Sequence, residues 1–229
     1  MIAQLQTSAT PSKSAPTLSM SPQDYLSWEL KQPIKYGYMG GRAYAMSGGT
    51  IPHNQVAVNL VSLLNTHLRG SGCKTLSSDA KVGLTESGPY HYPDVSVTCD
   101  ERDKSARSHI QHPCLVVEVL SDSTEAFDRG KKFRDYRRIK TLQEYVLIDP
   151  DAMSVECYRL NSRGKWELTH YVGSDDVGSD DVGSDEDGTS VEVELASVKL
   201  SFPIEALCEN ISLPAGKEET DELVNTDIA

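Results

Sequence analysis

The sequence predicts an α/β fold: a mixed central β-sheet flanked by helices, with additional antiparallel strands. Three observations carry that expectation. The runs Cys114-Leu115-Val116-Val117-Glu118-Val119-Leu120 and Glu144-Tyr145-Val146-Leu147-Ile148-Asp149 are short, apolar and without alternation, the pattern of strands covered on both faces. The segment between them is helical in pattern, so the two runs form a strand–helix–strand unit. Further on, 154–160, 165–171 and 191–195 look like antiparallel strands, with Asn161-Ser162-Arg163-Gly164 as a hairpin turn.

Taken in order, Ser21-Pro22 starts a short helix and a hairpin turns near Gly40-Gly41. Pro52 sits in the first turn of a long helix bearing Val56, Leu60, Leu63, Leu64 and Leu68, which ends at Gly70. Strands follow near 75–84 and 91–98. Ser121-Asp122-Ser123-Thr124 supplies N-cap residue types ahead of a helix over 125–140, where Phe133, Tyr136 and Ile139 form the packed stripe. One domain spans 21–210. Residues 1–20 and 211–229 are polar and expected to be disordered, and 172–190 are an acidic loop built on a Val-Gly-Ser-Asp-Asp repeat. The five-residue period of that repeat matches neither an EF-hand nor a glycine-rich nonapeptide.

The net charge of −12 is concentrated at two places: residues 173–188 hold seven acids and no base, and 217–229 hold five acids and one lysine. Without them the body is near neutral, which excludes the strongly basic footprint of a non-specific nucleic-acid binder. No apolar run reaches the length of a membrane span and the N-terminus lacks a signal-type core, so a cytoplasmic protein is expected. The five cysteines are widely spaced without Cys-X-X-Cys, which suggests reduced thiols rather than a zinc site or disulfide framework.

Glu118 is the residue that demands an explanation. A carboxylate inside a strand buried on both faces costs several kcal/mol unless it is neutralised, paired or bound to a metal. Asp94, after Pro93, opens the β-branched run Val95-Ser96-Val97-Thr98, and neighbouring strands bring two such carboxylates together. Paired carboxylates suit Mg²⁺ or Mn²⁺, hard cations that bind through one or two carboxylates, water and phosphate. Lys132, on the cationic helix that follows, reaches back toward the end of the Glu118 strand. Residues 129–140 carry seven Lys or Arg against one acid, and Arg129, Arg134 and Arg137 are candidate contacts to a nucleic-acid backbone. His53, at the start of the long helix, is a candidate to orient water or phosphate.

Pro93-Asp94, Glu118-Val119-Leu120-Ser121, Ser123-Thr124, Asp128-Arg129-Gly130 and Lys132 together resemble the Uma family of endonucleases, a branch of the restriction-endonuclease-like PD-(D/E)XK superfamily. The likeness spans roughly residues 20–205 and includes Gly41-Arg42-Ala43-Tyr44-Ala45-Met46-Ser47 and Glu144-Tyr145-Val146-Leu147-Ile148-Asp149-Pro150. It implies a restriction-endonuclease-like core and a divalent-metal-dependent endonuclease acting on DNA, with Asp94 and Glu118 as metal ligands. It makes Lys132 the catalytic lysine, displaced from position 120, which is leucine here, and His53 and Asp128 supporting residues. A homodimer is implied by relatives that cut two strands. Gly37 stands where the family has an acid, a departure tied to weakened activity. The alternative is a relative with a decayed site that keeps the fold and binds nucleic acid, and a further option is a protein-interaction module that uses the acidic tails.

Overall fold

The computed structural model describes residues 19–46, 48–173 and 190–211. The expected disordered 1–20, but for Ser19 and Met20, the acidic repeat and the tail beyond 211 lie outside the described residues. Helix α1 (Pro22–Glu29) opens on Ser21, whose hydroxyl accepts the Asp24 N–H at 3.1 Å. Strands β1 (Tyr36–Met39) and β2 (Arg42–Ala45) form a hairpin whose turn places Gly40 and Gly41 at φ 58° and 80°, the left-handed region that glycine enters without steric cost. Helix α2 (Ile51–His67) is capped by Thr50, which accepts the His53 N–H at 3.3 Å.

The chain continues through β3 (Lys74–Ser77), β4 (Lys81–Gly83), β5 (Tyr90–His91), β6 (Val95–Thr98), β7 (His109–Ile110) and β8 (Leu115–Val119). Next come α3 (Glu125–Phe127), one π-helical turn (Asp128–Lys132) and α4 (Phe133–Tyr136), then β9 (Glu144–Asp149), β10 (Ser154–Leu160), β11 (Trp166–Val172), β12 (Glu192–Leu195) and β13 (Leu200–Pro203). A six-stranded mixed sheet in the order β11-β10-β9-β8-β6-β3 is the centre of the molecule, with β8 and β9 parallel across the helical crossover. A second sheet runs β2-β1-β5-β4-β7, and β12 and β13 pair with each other.

Two sequence expectations change. The run 75–84 is two strands in different sheets, because Ser77–Ala80 turns the chain between β3 and β4, and 91–98 is likewise broken at Pro93. The late strands are antiparallel as expected: β10 and β11 extend the central sheet, and β12 pairs with β13 outside it. The cysteines are not all reduced. Lys74 pairs with Thr98, so one step outward sets Cys73 opposite Cys99; their Cα atoms lie 4.1 Å apart and the two are disulfide-bonded. Cys114, Cys157 and Cys208 are free.

Side-chain alternation along β8 sorts the core. Leu115, Val117 and Val119 point to the layer shared with Val56, Leu60 and Leu64 of α2 and with Val193, Leu195 and Phe202 of the β12–β13 hairpin. Val116 and Leu120 point to the other layer, with Tyr136, Ile139, Leu142 and Tyr145. Glu118 shares the second face and therefore looks toward the helix that carries Lys132. Among the described residues no helix is long and apolar enough to cross a membrane.

Glu144 anchors the hairpin to the sheet: fully buried, it accepts from Arg159 Nε at 2.7 Å and from the Ala196 and Ser197 N–H groups at 3.0 and 2.7 Å. Replacing it by alanine strands two backbone donors and takes one partner from Arg159, which keeps Glu194 O at 3.0 Å, so Glu144→Ala should cost about 2–4 kcal/mol. Urea unfolding of parent and variant measures this; a loss below about 1 kcal/mol would show that the anchor is not needed.

Candidate active site

Strand register brings the two predicted carboxylates together. Val95 pairs with Val117, and the antiparallel pairing carried one residue further sets Asp94 across from Glu118 on the same face. Asp94 Oδ2 accepts the Val119 N–H at 2.8 Å, which pins the loop before β6 to β8. His53 Nε2 lies 3.4 Å from the same oxygen, delivered there by the capped first turn of α2.

Glu118 is 2% exposed. Its Oε2 pairs with Lys132 Nζ at 2.7 Å; among the described residues Oε1 is buried without a well-formed hydrogen bond, and the buried Tyr136 hydroxyl, likewise unsatisfied, faces the same carboxylate. Lys132 Nζ is also 3.0 Å from Asp128 Oδ1. The π-helical turn builds this arrangement. There the Phe133 N–H reaches back five residues to the Asp128 carbonyl, which also accepts the Tyr145 hydroxyl at 3.0 Å. Single π turns of this kind recur at functional sites.

These groups line a cleft of about 1050 Å³. Among the described residues no three His, Cys, Asp or Glu side chains converge to hold an ion by themselves. The donor set nevertheless fits a hard cation of the Mg²⁺ type, which takes one or two carboxylates and completes its shell with water and phosphate. Glu118 Oε1, buried, without a well-formed hydrogen bond and on a residue that lines the cleft, is the observation that supports the fit.

Residues 22–195 match the Uma2 family model, described as "Putative restriction endonuclease". The chain belongs to the Uma2 family. It is 39% identical over 201 residues to the uncharacterized protein slr1290 of Synechocystis sp. (strain ATCC 27184 / PCC 6803 / Kazusa), covering 88% of this chain and 97% of that protein. A second uncharacterized protein of that strain, sll1609, is 33% identical over 163 residues, covering 70% and 92%. The fold is also that of a solved protein from Anabaena variabilis ATCC 29413, described as "a putative nuclease belonging to DUF820". The TM-score is 0.60 and the identity 18%, and the match covers 83% of this chain and 98% of that one.

In this Uma2 family member the electrostatics follow from three carboxylates around one ammonium. Burial pushes the Glu118 carboxyl well above its ordinary range, Lys132 opposes the shift, and the charges of Asp128 and Asp94 add to it. For Lys132, burial works against the charged form, but Glu118 and Asp128 outweigh it and hold the amine protonated above its usual range. The hydrogen bond to Asp94 raises His53 above its ordinary value against the effect of burial.

Not every predicted cation reaches the cleft. Arg129 is held by Glu125 at 2.7 Å and by Glu156; Arg134 is exposed, and Arg137 lies over the Phe133 ring at 5.0 Å. None of the three lines the cleft, whose cations are instead Lys35, Lys81, Arg107 and Lys132. Sequence reasoning also missed Glu29, the last residue of α1. It accepts from Lys81 Nζ at 2.6 Å and from the Tyr92 hydroxyl at 2.5 Å inside the cleft wall. Gly37 lies in β1, where an added Cβ would meet only Tyr90 O at 3.6 Å, and it is not among the cleft-lining residues.

A group whose folded pKa is raised favours the fold below its unfolded pKa and loses that contribution as pH rises through the folded value. In chelator, Glu118→Gln should therefore gain thermal stability over the parent as pH rises above the ordinary carboxylate range. Calorimetry across pH measures it, and a parent more stable than the variant throughout would mean that the ionised Glu118 is fully compensated without a cation.

Proposed function

We propose that the chain is an endonuclease that hydrolyses phosphodiester bonds in DNA with Mg²⁺ or Mn²⁺ as cofactor. The observation that carries this reading is the pair Asp94 and Glu118 at a cleft, Glu118 within β8 and Asp94 in the loop that enters β6 beside it, with Lys132 on one Glu118 oxygen and the other without a well-formed hydrogen bond. Membership of the Uma2 family, described as "Putative restriction endonuclease", supports it. The cleft lining counts four Lys and Arg against five Asp and Glu, so charge alone gives a polyanion little to hold. A divalent cation reverses that balance; when bound, it neutralises phosphate charge and lowers the pKa of water.

The chain's own residues supply position and charge. Asp94 is fixed from two sides, by the Val119 N–H and by His53, so one face of its carboxylate is committed to the protein. His53 in its protonated form strengthens the hold on Asp94. Lys132, paired with Glu118 and beside Asp128, is placed to orient the attacking water and to neutralise charge developing on phosphate. Asp128 keeps the ammonium on the Glu118 side. Glu29, bonded to both Lys81 and Tyr92, sets the wall on the Asp94 side, two residues along the chain from Tyr92.

The test is cleavage of circular and linear DNA with Mg²⁺ or Mn²⁺. Asp94→Ala and Glu118→Ala should each abolish metal-dependent cutting while far-ultraviolet circular dichroism stays unchanged, and unaltered cutting by both variants would remove the assignment. Lys132→Ala should lower turnover by about 10²-fold or more, in the range of a lost transition-state charge contact. Lys131→Ala should be mild, because adjacent helical positions point about 100° apart and Lys131 is exposed. Equal losses in the two would reduce Lys132 to general attraction of phosphate.

A further inference from the structure

The open end of the β1–β2 hairpin carries an apolar rim that the proposed chemistry does not use. Tyr36 pairs with Ala45, and the Met46 N–H donates to Lys35 O at 3.0 Å, so the segment entering β1 and the segment leaving β2 run side by side. On the first, Leu30 and Ile34 are 76% and 49% exposed; on the second, Ile51 is 86% exposed. All three line the same cleft as Asp94 and Glu118. Ile51 is the first residue of α2, and the cap is already supplied by Thr50. Its exposure is not explained by local structure.

The exposed cation beside this rim is placed differently from those of the inner cleft. Lys81 is buried on Glu29, Lys132 on Glu118, and Lys35 is paired with Asp79 and donates to Ser78 O, whereas Arg107 faces solvent at the cleft. A mouth that offers aliphatic side chains next to an exposed guanidinium is complementary to nucleotides whose bases are unstacked. An uninterrupted duplex presents charged backbone to such a surface and keeps its bases inside. Opened strands present base faces, which apolar side chains cover, alongside phosphates, which cations meet.

We propose that the strand entering this cleft carries unpaired nucleotides whose bases lie on Leu30, Ile34 and Ile51 while Arg107 contacts a phosphate. The preferred substrate is then single-stranded or locally opened DNA over uninterrupted duplex. This rests on the nuclease reading given above.

The test uses the full chain with Ca²⁺ and three fluorescein-labelled DNAs of one sequence: a single strand, a duplex with a central unpaired bubble, and an uninterrupted duplex. Fluorescence anisotropy should give affinities for the first two about tenfold above the third, the order expected when one base face is covered by aliphatic side chains. Leu30→Ser and Ile51→Ser should bring the bubble down to duplex affinity with unchanged melting temperature. A 2-aminopurine in the bubble should change its fluorescence on binding to the parent and not to these variants. Equal affinity for the three forms, or rim variants that keep the preference, would overturn the proposal. So would a parent dimer that Ile51→Ser converts to monomer with DNA affinity untouched, because the rim would then be a contact between copies. If Glu118-dependent cleavage of duplex persists in these cases, the nuclease reading stands alone. If no DNA form is bound or cut, both readings fall.

Discussion

The burial of the Glu118 carboxylate is the constraint around which the rest of the molecule is arranged. A strand covered on both faces leaves a charged side chain three outcomes: a proton, a partner or a cation. Here one oxygen takes the Lys132 ammonium, and among the described residues the other has no well-formed hydrogen bond, with only the buried Tyr136 hydroxyl facing the carboxylate. Lys132 is in turn held by Asp128, and Asp94 stands across the strand pair. The protein thus sets three carboxylates around one ammonium, an arrangement that burial and repulsion oppose and that the divalent cation of the proposed function would relieve.

Fold and site are joined through a few backbone devices. The β6–β8 register sets Asp94 opposite Glu118, and the Val119 N–H secures it. The alternation of β8 turns Glu118 away from the α2 layer toward the crossover helix. The π turn then places Asp128 and Lys132 together at the point where the helix passes over the strand. Loss of any one of these would leave the same residues in the chain without bringing them to one place.

Much of this was legible in the sequence where periodicity was strong. The β8 and β9 runs, the α2 stripe and the helix before β9 were found because uninterrupted burial or a 3.6-residue repeat leaves a long signature. Assignment to two sheets was not, since the turn after Ser77 is short and flanked by residues that fit a continued strand. Glu29, Lys81 and Tyr92 were missed because each is ordinary alone; the contact joins α1, β4 and the segment before Asp94, which sequence spacing does not report. The Cys73–Cys99 bond depends on the β3–β6 register across a separation of 26 residues, and the π turn differs from an α-helix by one residue that no side-chain pattern marks. Arg129 was read as free because its partners Glu125 and Glu156 meet it only after folding.

The central claim is that Glu118 and Asp94 together need a cation, and direct binding of Mn²⁺ tests it most simply. Isothermal titration of the chain with Mn²⁺, read alongside the electron paramagnetic resonance signal of the free ion, should show binding that Glu118→Gln and Asp94→Asn each abolish. Binding that survives both substitutions, or no binding by the parent, would contradict the account.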